Sequence, residues 1–322
     1  MIIKRTILIL FSFIFILLFT SCSEMQVEKS IETTQSVETI QDIEVQNDSA
    51  SNEPDPKKEG DTELFAEIAN AHGIVFDNQG NMFISQKGTE ILKVTPDADT
   101  SLFASIESLE DKTDKTHIWS MTLGKDHNIY AAANDRIIKI TMDGKMQNLV
   151  KESYTGEWGA CDIKFDEFGY MYIAHGTKVE KYDLSLKKST IIDGENDVES
   201  LSSVVGIEFS PDYKSLYIGD VFGNKVVRYS INEGVITGDP FVIPNLRAPE
   251  YIAADKSGNA FVSLPGGGGL AKINPDGTVT LIDCENKLLE PTTLAFGKKG
   301  FKEDSIYVMS KGQIFTVYVE SN

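Results

Sequence analysis

The chain has 322 residues, with 49 acidic and 30 basic side chains and a formal net charge of −19. Nucleic-acid binding depends on Lys and Arg neutralising phosphates, so this acidic composition predicts that no nucleic acid is a partner. The chain has three cysteines, fewer than a disulfide-dependent secreted fold uses, and a body of about 260 residues can be stabilised by its core alone.

Residues 1–22 have the features of an export signal. Lys4 and Arg5 precede an apolar stretch from Ile7 to Phe19 that is too short for a membrane span, and Cys22 follows it. This resembles a bacterial lipoprotein signal peptide, although Phe19 stands where Leu is usual, and a plain secreted protein is the alternative. We expect an extracytoplasmic protein anchored to the cell membrane or outer membrane by lipid on Cys22.

Residues 23–60 are rich in Ser, Thr, Gln and acidic side chains and contain no aromatic residue. Such a segment cannot bury enough apolar surface to offset the entropy lost on ordering it. We therefore predict an acidic, disordered tether between the signal peptide and a folded body at residues 61–322.

The body is built from one repeated unit, first seen at His72–Val94. Three apolar runs are separated by polar turns, and the turn Asp77–Asn81 ends in the Gly-Asn pair typical of a hairpin. Six copies begin 42 to 47 residues apart, which is the spacing of four-stranded propeller blades. They begin at His72, Trp119, Cys161, Val205, Glu250 and Thr292.

The strand count predicts how the ring closes. Outer strands are predicted in five copies, at Ser101–Ile106, Met146–Lys151, Ser189–Asp193, Pro240–Pro244 and Thr278–Asp283. The sixth copy reaches the end of the chain without one, while Glu63–Ile68 resembles Ser101–Ile106 and precedes the first copy. We predict an all-β, six-bladed β-propeller closed by this N-terminal strand, which leaves no open sheet edge.

The repeats resemble two families of propellers. The segment Gly219–Arg228 is similar to an Asn-His-Leu (NHL) repeat, and residues 61–322 as a whole resemble the senescence-marker-protein and gluconolactonase family. That family consists of six-bladed propellers and includes metal-dependent lactonases. The resemblance therefore implies a divalent metal, zinc or calcium, at one mouth of the channel.

The first residues of the six innermost strands gather at that mouth, but the metal-binding pattern of the family is degraded there. The family's Glu falls on His72, its Asn on Val205 and its Asp on Glu250, while a substrate-facing Asn falls on Cys161. A calcium site needs several oxygen ligands, and these positions do not supply them.

Two interpretations of the mouth follow. His72, Cys161 and Glu250 could bind zinc, with Asp162 as a base for hydrolysis; in the alternative, Cys161 is an inert core thiol. Trp119, Tyr251 and Thr292 are predicted to line a ligand pocket, where the aromatic rings either stack on a ligand or plug the channel.

The remaining histidines and the glycine run carry less information. His117, His127 and His175 are predicted to be surface or edge residues, and Gly266–Gly269 to be a flexible hairpin. We expect a monomeric module that binds a small molecule or an envelope protein. The alternative is a metal-dependent hydrolase acting on lactones or small esters.

Overall fold

The computed structural model describes residues 56–320, apart from residues 114, 115, 153, 157 and 198. The predicted signal peptide, its Cys22 and all but the last five residues of the predicted tether lie outside this range. The described residues form six four-stranded antiparallel sheets, which confirms the predicted propeller. No helix in this part of the chain has the length and apolar character needed to cross a membrane.

In the first five sheets the strands follow one another along the chain, from the innermost to the outermost. The innermost strands are β2 (Ala71–Phe76), β6 (Ile118–Leu123), β10 (Ala160–Phe165), β14 (Val204–Phe209), β18 (Ile252–Ala254) and β22 (Pro291–Phe296). The second strands are β3 (Met82–Gln86), β7 (Ile129–Ala133), β11 (Met171–His175), β15 (Ser215–Asp220), β19 (Ala260–Leu264) and β23 (Ser305–Ser310).

The outer half of each sheet is more exposed to solvent. The third strands are β4 (Glu90–Val94), β8 (Arg136–Ile140), β12 (Lys178–Tyr182), β16 (Lys225–Asn232), β20 (Gly269–Ile273) and β24 (Gln313–Tyr318). The outermost strands are β5 (Thr100–Ser105), β9 (Met146–Lys151), β13 (Lys188–Asp193), β17 (Val235–Pro244) and β21 (Val279–Ile282) in the first five blades and β1 (Thr62–Glu67) in the sixth. A short 3-10 helix, Ile106–Ser108, follows β5.

The sixth blade confirms the predicted closure. Its strand order is β22-β23-β24-β1, and β1 pairs antiparallel with β24, with Thr62 opposite Val317 and Leu64 opposite Phe315. One blade is therefore assembled from both ends of the described chain, so that closing the ring satisfies the outer edge of β24.

Aspartates explain why the polar turns fold as hairpins. An oxygen of Asp77 accepts hydrogen bonds from the backbone N–H groups of Gln79 and Asn81, at 2.8 and 2.9 Å. Asp166 and Asp255 do the same in their own blades. The glycine between the two donors, Gly80 in the first blade, has φ +92°, which side chains rarely adopt.

The hydrophobic core is divided among the gaps between neighbouring blades. A separate cluster of buried apolar side chains fills each of the six gaps, for example Phe83 and Ile91 of the first blade against Ile129 and Ile138 of the second. The innermost strands pack against one another in a closed ring around the central channel. Cys161 and Cys284 are both buried and free, so no bridge joins them.

Candidate functional site

A break in strand pairing exposes the first residues of the innermost strands. The pairing of these strands with their neighbours slips near its start in five blades, between Ala71 and Ile74, Ile118 and Ser120, Ala160 and Asp162, Val204 and Ile207, and Pro291 and Leu294. A bulge of this kind re-aims side chains and often adjoins a binding site. It turns the residues that begin each repeat toward the end of the channel.

Serines on the second strands accept hydrogen bonds from backbone N–H groups near the start of the innermost strands. Ser85 Oγ accepts the N–H of Gly73 at 2.8 Å, and Ser263 Oγ accepts that of Tyr251 at 3.0 Å. Ser310 Oγ accepts the N–H of Glu290 at 3.3 Å. In the first and sixth blades the hydroxyl satisfies a donor beside the shifted pairing, and in the fifth blade, where the pairing does not shift, Ser263 supports the residue just before the innermost strand.

At this end the channel opens into a cavity of about 160 Å³ that we call the upper mouth. Its walls come from all six blades: His72, Trp119, Trp158, Cys161, Val205, Glu250, Tyr251, Thr292 and Thr293. The predicted pocket residues Trp119, Tyr251 and Thr292 therefore line one cavity together with the three predicted metal ligands. Two of the aromatic residues in its walls are tryptophans.

Trp158 was not predicted. It lies in the connection between the second and third blades, and the repeat aligns strands, so connections of irregular length have no counterpart to reveal their position. Its ring centroid is 6.0 Å from that of Phe222, which is 62% exposed and extends the apolar rim outward. The one available signal was rarity, since the chain has only two tryptophans.

Glu250 provides the carboxylate of the upper mouth. Burial raises the pKa of its carboxyl to about 7, and within the described part of the chain no hydrogen bond or ion pair engages that side chain. Its backbone is packed so closely that a Cβ on Gly206 would lie 2.2 Å from the Glu250 carbonyl oxygen. Glu250 is thus held rigidly, with a proton that can be gained or lost near neutral pH.

His72, Cys161 and Glu250 do not fit a metal ion. The described residues contain no group of three or more His, Cys, Asp and Glu side chains placed to hold one. The three stand in alternate blades, so the width of the cavity separates them. In addition, burial raises the pKa of the Cys161 thiol to about 12, with Asp162 and Glu250 adding to the effect, whereas a metal ligand must be a thiolate.

The structure also corrects the expected role of Asp162. Its side chain is fully buried below the upper mouth and does not line that cavity. It accepts hydrogen bonds from Ser120 Oγ at 2.6 Å, from the N–H of Ile163 at 2.8 Å and from that of Ile207 at 3.0 Å. These donors belong to three consecutive blades, so Asp162 ties the innermost strands together and is closed to a ligand.

Two of the three remaining histidines were predicted wrongly. His117 is half-buried beside the upper mouth, with its ring centroid 4.1 Å from that of Trp119 and 5.0 Å from that of His72. Burial, and then His72, lowers the pKa of His117 to about 4. His175 does end a second strand, as expected, but it is buried, with Nε2 3.4 Å from Glu180 Oε2.

The opposite end of the channel, the lower mouth, has a different character. A cavity of about 370 Å³ is lined there by residues at the ends of the innermost strands and in the loops that follow them, among them Lys164, Glu208 and Lys298. Lys164 Nζ lies 3.0 Å from Glu208 Oε2 and 3.9 Å from Asp162 Oδ2. Glu208, the carboxylate that lines this end beside Lys164, is therefore paired.

Comparisons with known proteins give the family. Residues 71–312 match the SMP-30/gluconolactonase/LRE-like region, and the chain belongs to that family. A search of the curated proteins found no match.

Solved structures that are similar to the chain agree with this fold. A gluconolactonase from Xanthomonas campestris superposes with a TM-score of 0.65 at 13% identity, covering 80% of this chain and 89% of its own. A virginiamycin B lyase from Staphylococcus aureus gives 0.57 at 16%, covering 81% and 100%. A regucalcin from Agrobacterium tumefaciens, described as calcium-binding, gives 0.58 at 14%, covering 78% and 90%. Identities this low establish a shared fold.

Proposed function

We propose that this protein is a small-molecule-binding propeller whose ligand occupies the upper mouth. The cavity itself carries the proposal, because it combines aromatic walls with one carboxylate that none of the described residues engages. Ligand sites are concave and mostly apolar, with a few polar groups that fix orientation. The poor fit of His72, Cys161 and Glu250 to a metal favours binding over the metal-dependent chemistry that the family resemblance implies.

A hydrolase acting on lactones or small esters is the second candidate, favoured by family membership and by Glu250. A carboxyl group with a pKa of about 7 can act as a general acid or base at neutral pH. Thr292 and Thr293 line the same cavity. Some of the structural neighbours are gluconolactonases, which motivates the choice of lactones as test substrates.

Metal content and lactone hydrolysis, measured on the same purified protein, separate the two candidates. The binding proposal predicts no stoichiometric metal by elemental analysis and no turnover that Glu250→Gln removes. It also predicts that small molecules raise the melting temperature and that Trp119→Ala and Trp158→Ala abolish this effect. Metal-dependent lactone hydrolysis that disappears in Glu250→Gln would establish the hydrolase instead.

We further propose that the protein is displayed outside the cytoplasm on a lipid attached to Cys22. The signal-like segment at residues 1–22 and the acidic tether at 23–60 support this. Cys22→Ser should move the protein from the membrane fraction to the soluble fraction and abolish incorporation of labelled fatty acid. Retention in the membrane without label would indicate a different anchor.

An envelope protein that binds at the exposed apolar edge of the upper mouth is the alternative ligand. Phe222 and Leu289 are 62% and 59% exposed and could contact a larger partner. With a small-molecule ligand, we expect the purified protein to be monomeric by light scattering and its ligand affinity to be unchanged by Leu289→Ser. A ligand that is retained only as part of a protein complex would favour the envelope-protein alternative.

A further inference from the structure

We propose that the upper mouth takes a small organic cation, an alkylammonium or quaternary ammonium compound, held among aromatic rings with Glu250 as its counter-ion. The inference rests on the proposed binding function and specifies the ligand class for that same cavity. Its two supports are the kind of rings that form the walls and the charge that the walls carry.

Aromatic rings form much of the cavity wall. Trp119, Trp158 and Tyr251 come from the second blade, the connection before the third blade, and the fifth blade, and all three line the same space. The faces of Trp and Tyr rings attract cations, and several such rings around one space recognise quaternary ammonium groups. Val205 adds an apolar wall that suits methyl groups.

Charge separates this cavity from a site for a neutral apolar ligand. Among the described residues that line the cavity, Glu250 is the one that carries a negative charge at pH 8, because the Cys161 thiol is protonated and burial raises the pKa of the Tyr251 hydroxyl well above its usual value. Burial also lowers the pKa of His72, so this imidazole is neutral and does not repel a cation.

None of the described residues that line the cavity supplies a permanent positive charge. Arg247, on the connection that leads to Glu250, is exposed and does not line the cavity. A buried carboxylate without a partner is costly, and a bound ammonium group would relieve that cost. The net charge of −19 also favours the approach of cations over anions.

Size restricts the ligand further. A cavity of roughly 150 Å³ is large enough for benzene, and the upper mouth measures about 160 Å³. A trimethylammonium head group is of similar bulk. A longer substituent would extend past Trp158 toward the exposed ring of Phe222.

Intrinsic fluorescence gives a direct test, because the only two tryptophans of the chain both line this cavity. Choline and its uncharged isostere 3,3-dimethylbutan-1-ol would be titrated into the purified protein at pH 8. Choline should change the fluorescence and bind about tenfold more tightly than the alcohol, the ratio that a cation–π and ion-pair gain of this kind gives. Equal affinities would overturn the cation assignment and leave small-molecule binding intact.

The pH dependence provides a second readout. The titratable groups facing Glu250 are His72 on β2, Cys161 on β10 and the adjacent Tyr251, with Asp162 below. The pKa of Glu250, about 7, lies in the middle of the range from pH 6 to 8, whereas burial lowers the pKa of His72 from its usual value. Choline affinity should therefore fall as the pH drops below 7 and level off once Glu250 is protonated, with a total loss of less than about tenfold, while the affinity of the alcohol stays constant. A flat choline profile would contradict the assignment.

Glu250→Gln, which removes the charge and keeps the shape, completes the test. The variant should lose most of the preference for choline, because only the attraction of the aromatic rings remains. Its retained binding of the alcohol shows that the cavity is still folded. Glu303→Gln is the matched control, since it removes an exposed carboxylate from the β22–β23 loop at the lower end. The control should keep the full preference for choline. If neither compound affects the wild-type fluorescence, the inference is wrong, whereas proposed binding is judged separately by the thermal-shift screen.

Discussion

The two ends of the channel are built by the same six strands, but they differ in whether their carboxylates have a charged partner. At the upper mouth one carboxylate, Glu250, stands among aromatic rings without a partner among the described residues. At the lower mouth the carboxylate of Glu208 is paired with Lys164, which also lies near Asp162. An unpaired buried charge is destabilising unless a ligand completes it, whereas a paired one can serve the fold alone. The upper end is therefore the better candidate for binding.

Asp162 lies between the two ends, and its substitution should cause the largest loss in the free energy of unfolding. Asp162→Ala leaves Ser120 Oγ and two backbone N–H groups without an acceptor and leaves Lys164 with one partner fewer. We expect a loss of about 3–5 kcal/mol in the free energy of unfolding, measured with urea. Asp239→Ala, at an exposed position, should change it by less than about 0.5 kcal/mol. A small loss in Asp162→Ala would show that the blades are not tied together at this residue.

The lower mouth can be tested as a structural pair. Lys164→Met leaves Glu208 and Asp162 without their cation and should cost about 2–3 kcal/mol of unfolding free energy. The double variant Lys164→Met/Glu208→Gln should recover most of that loss, because it removes the unpaired charge as well. Ligand binding at the upper mouth should be unchanged in the double variant. Additive losses would mean that the two side chains do not act as a pair.

Gly206 connects the fourth blade to the backbone of Glu250. In Gly206→Ala the new Cβ would lie 2.2 Å from a carbonyl oxygen, so the strand must shift. Overpacking of this kind costs about 1–3 kcal/mol, and ligand affinity should fall because Glu250 moves.

Gly269→Ala is the matched control for this substitution. The nearest atom to its added Cβ, the Ile282 carbonyl oxygen, is at an ordinary 3.6 Å, and its φ is not in the left-handed region. We expect little change in stability or binding. Equal effects of the two substitutions would argue that close packing at Gly206 does not position Glu250.

Substitution of Glu250 should cause the smallest change in stability, and this change should depend on pH. The folded protein keeps the Glu250 proton up to about pH 7, whereas the unfolded chain releases it near pH 4.5. The stability from this proton is full below pH 4.5 and is lost as the pH rises through 7. Glu250→Gln should therefore be more stable than wild type by about 1–2 kcal/mol at pH 8, with no difference remaining near pH 4. A constant difference across this range would show that Glu250 does not titrate as proposed.

The repeat allowed the fold to be predicted closely, including the closure of the sixth blade by β1. Errors occurred where local pairing departs from the repeat. The fourth outer strand was expected at Pro240–Pro244, but β17 begins at Val235, because the β16–β17 hairpin continues outward as far as the pair Asn232 and Val235. The sequence of a polar turn does not determine how far the pairing between two strands continues.

The site was predicted in part. The first residue of each repeat was correctly expected at one mouth, since six similar blades must place equivalent residues together. Asp162 was predicted to face the cavity, but the pairing register shifts between Ala160 and Asp162 and its side chain is buried between the innermost strands. The sequence contains no signal for such a bulge. Trp158 and His117 lie in connections that only three-dimensional packing brings to the cavity.

By itself, the sequence determined the class of fold, the number of blades and the six repeat positions that meet at one end of the channel. Those properties follow from the period of strands and turns, which is local and repeated six times. Tertiary structure decided which of these side chains face the cavity, which are buried as ties, and which charges are paired. Burial and pairing depend on contacts between blades far apart in the chain, and they turn Glu250 into an unpaired carboxylate while Asp162 becomes part of the framework.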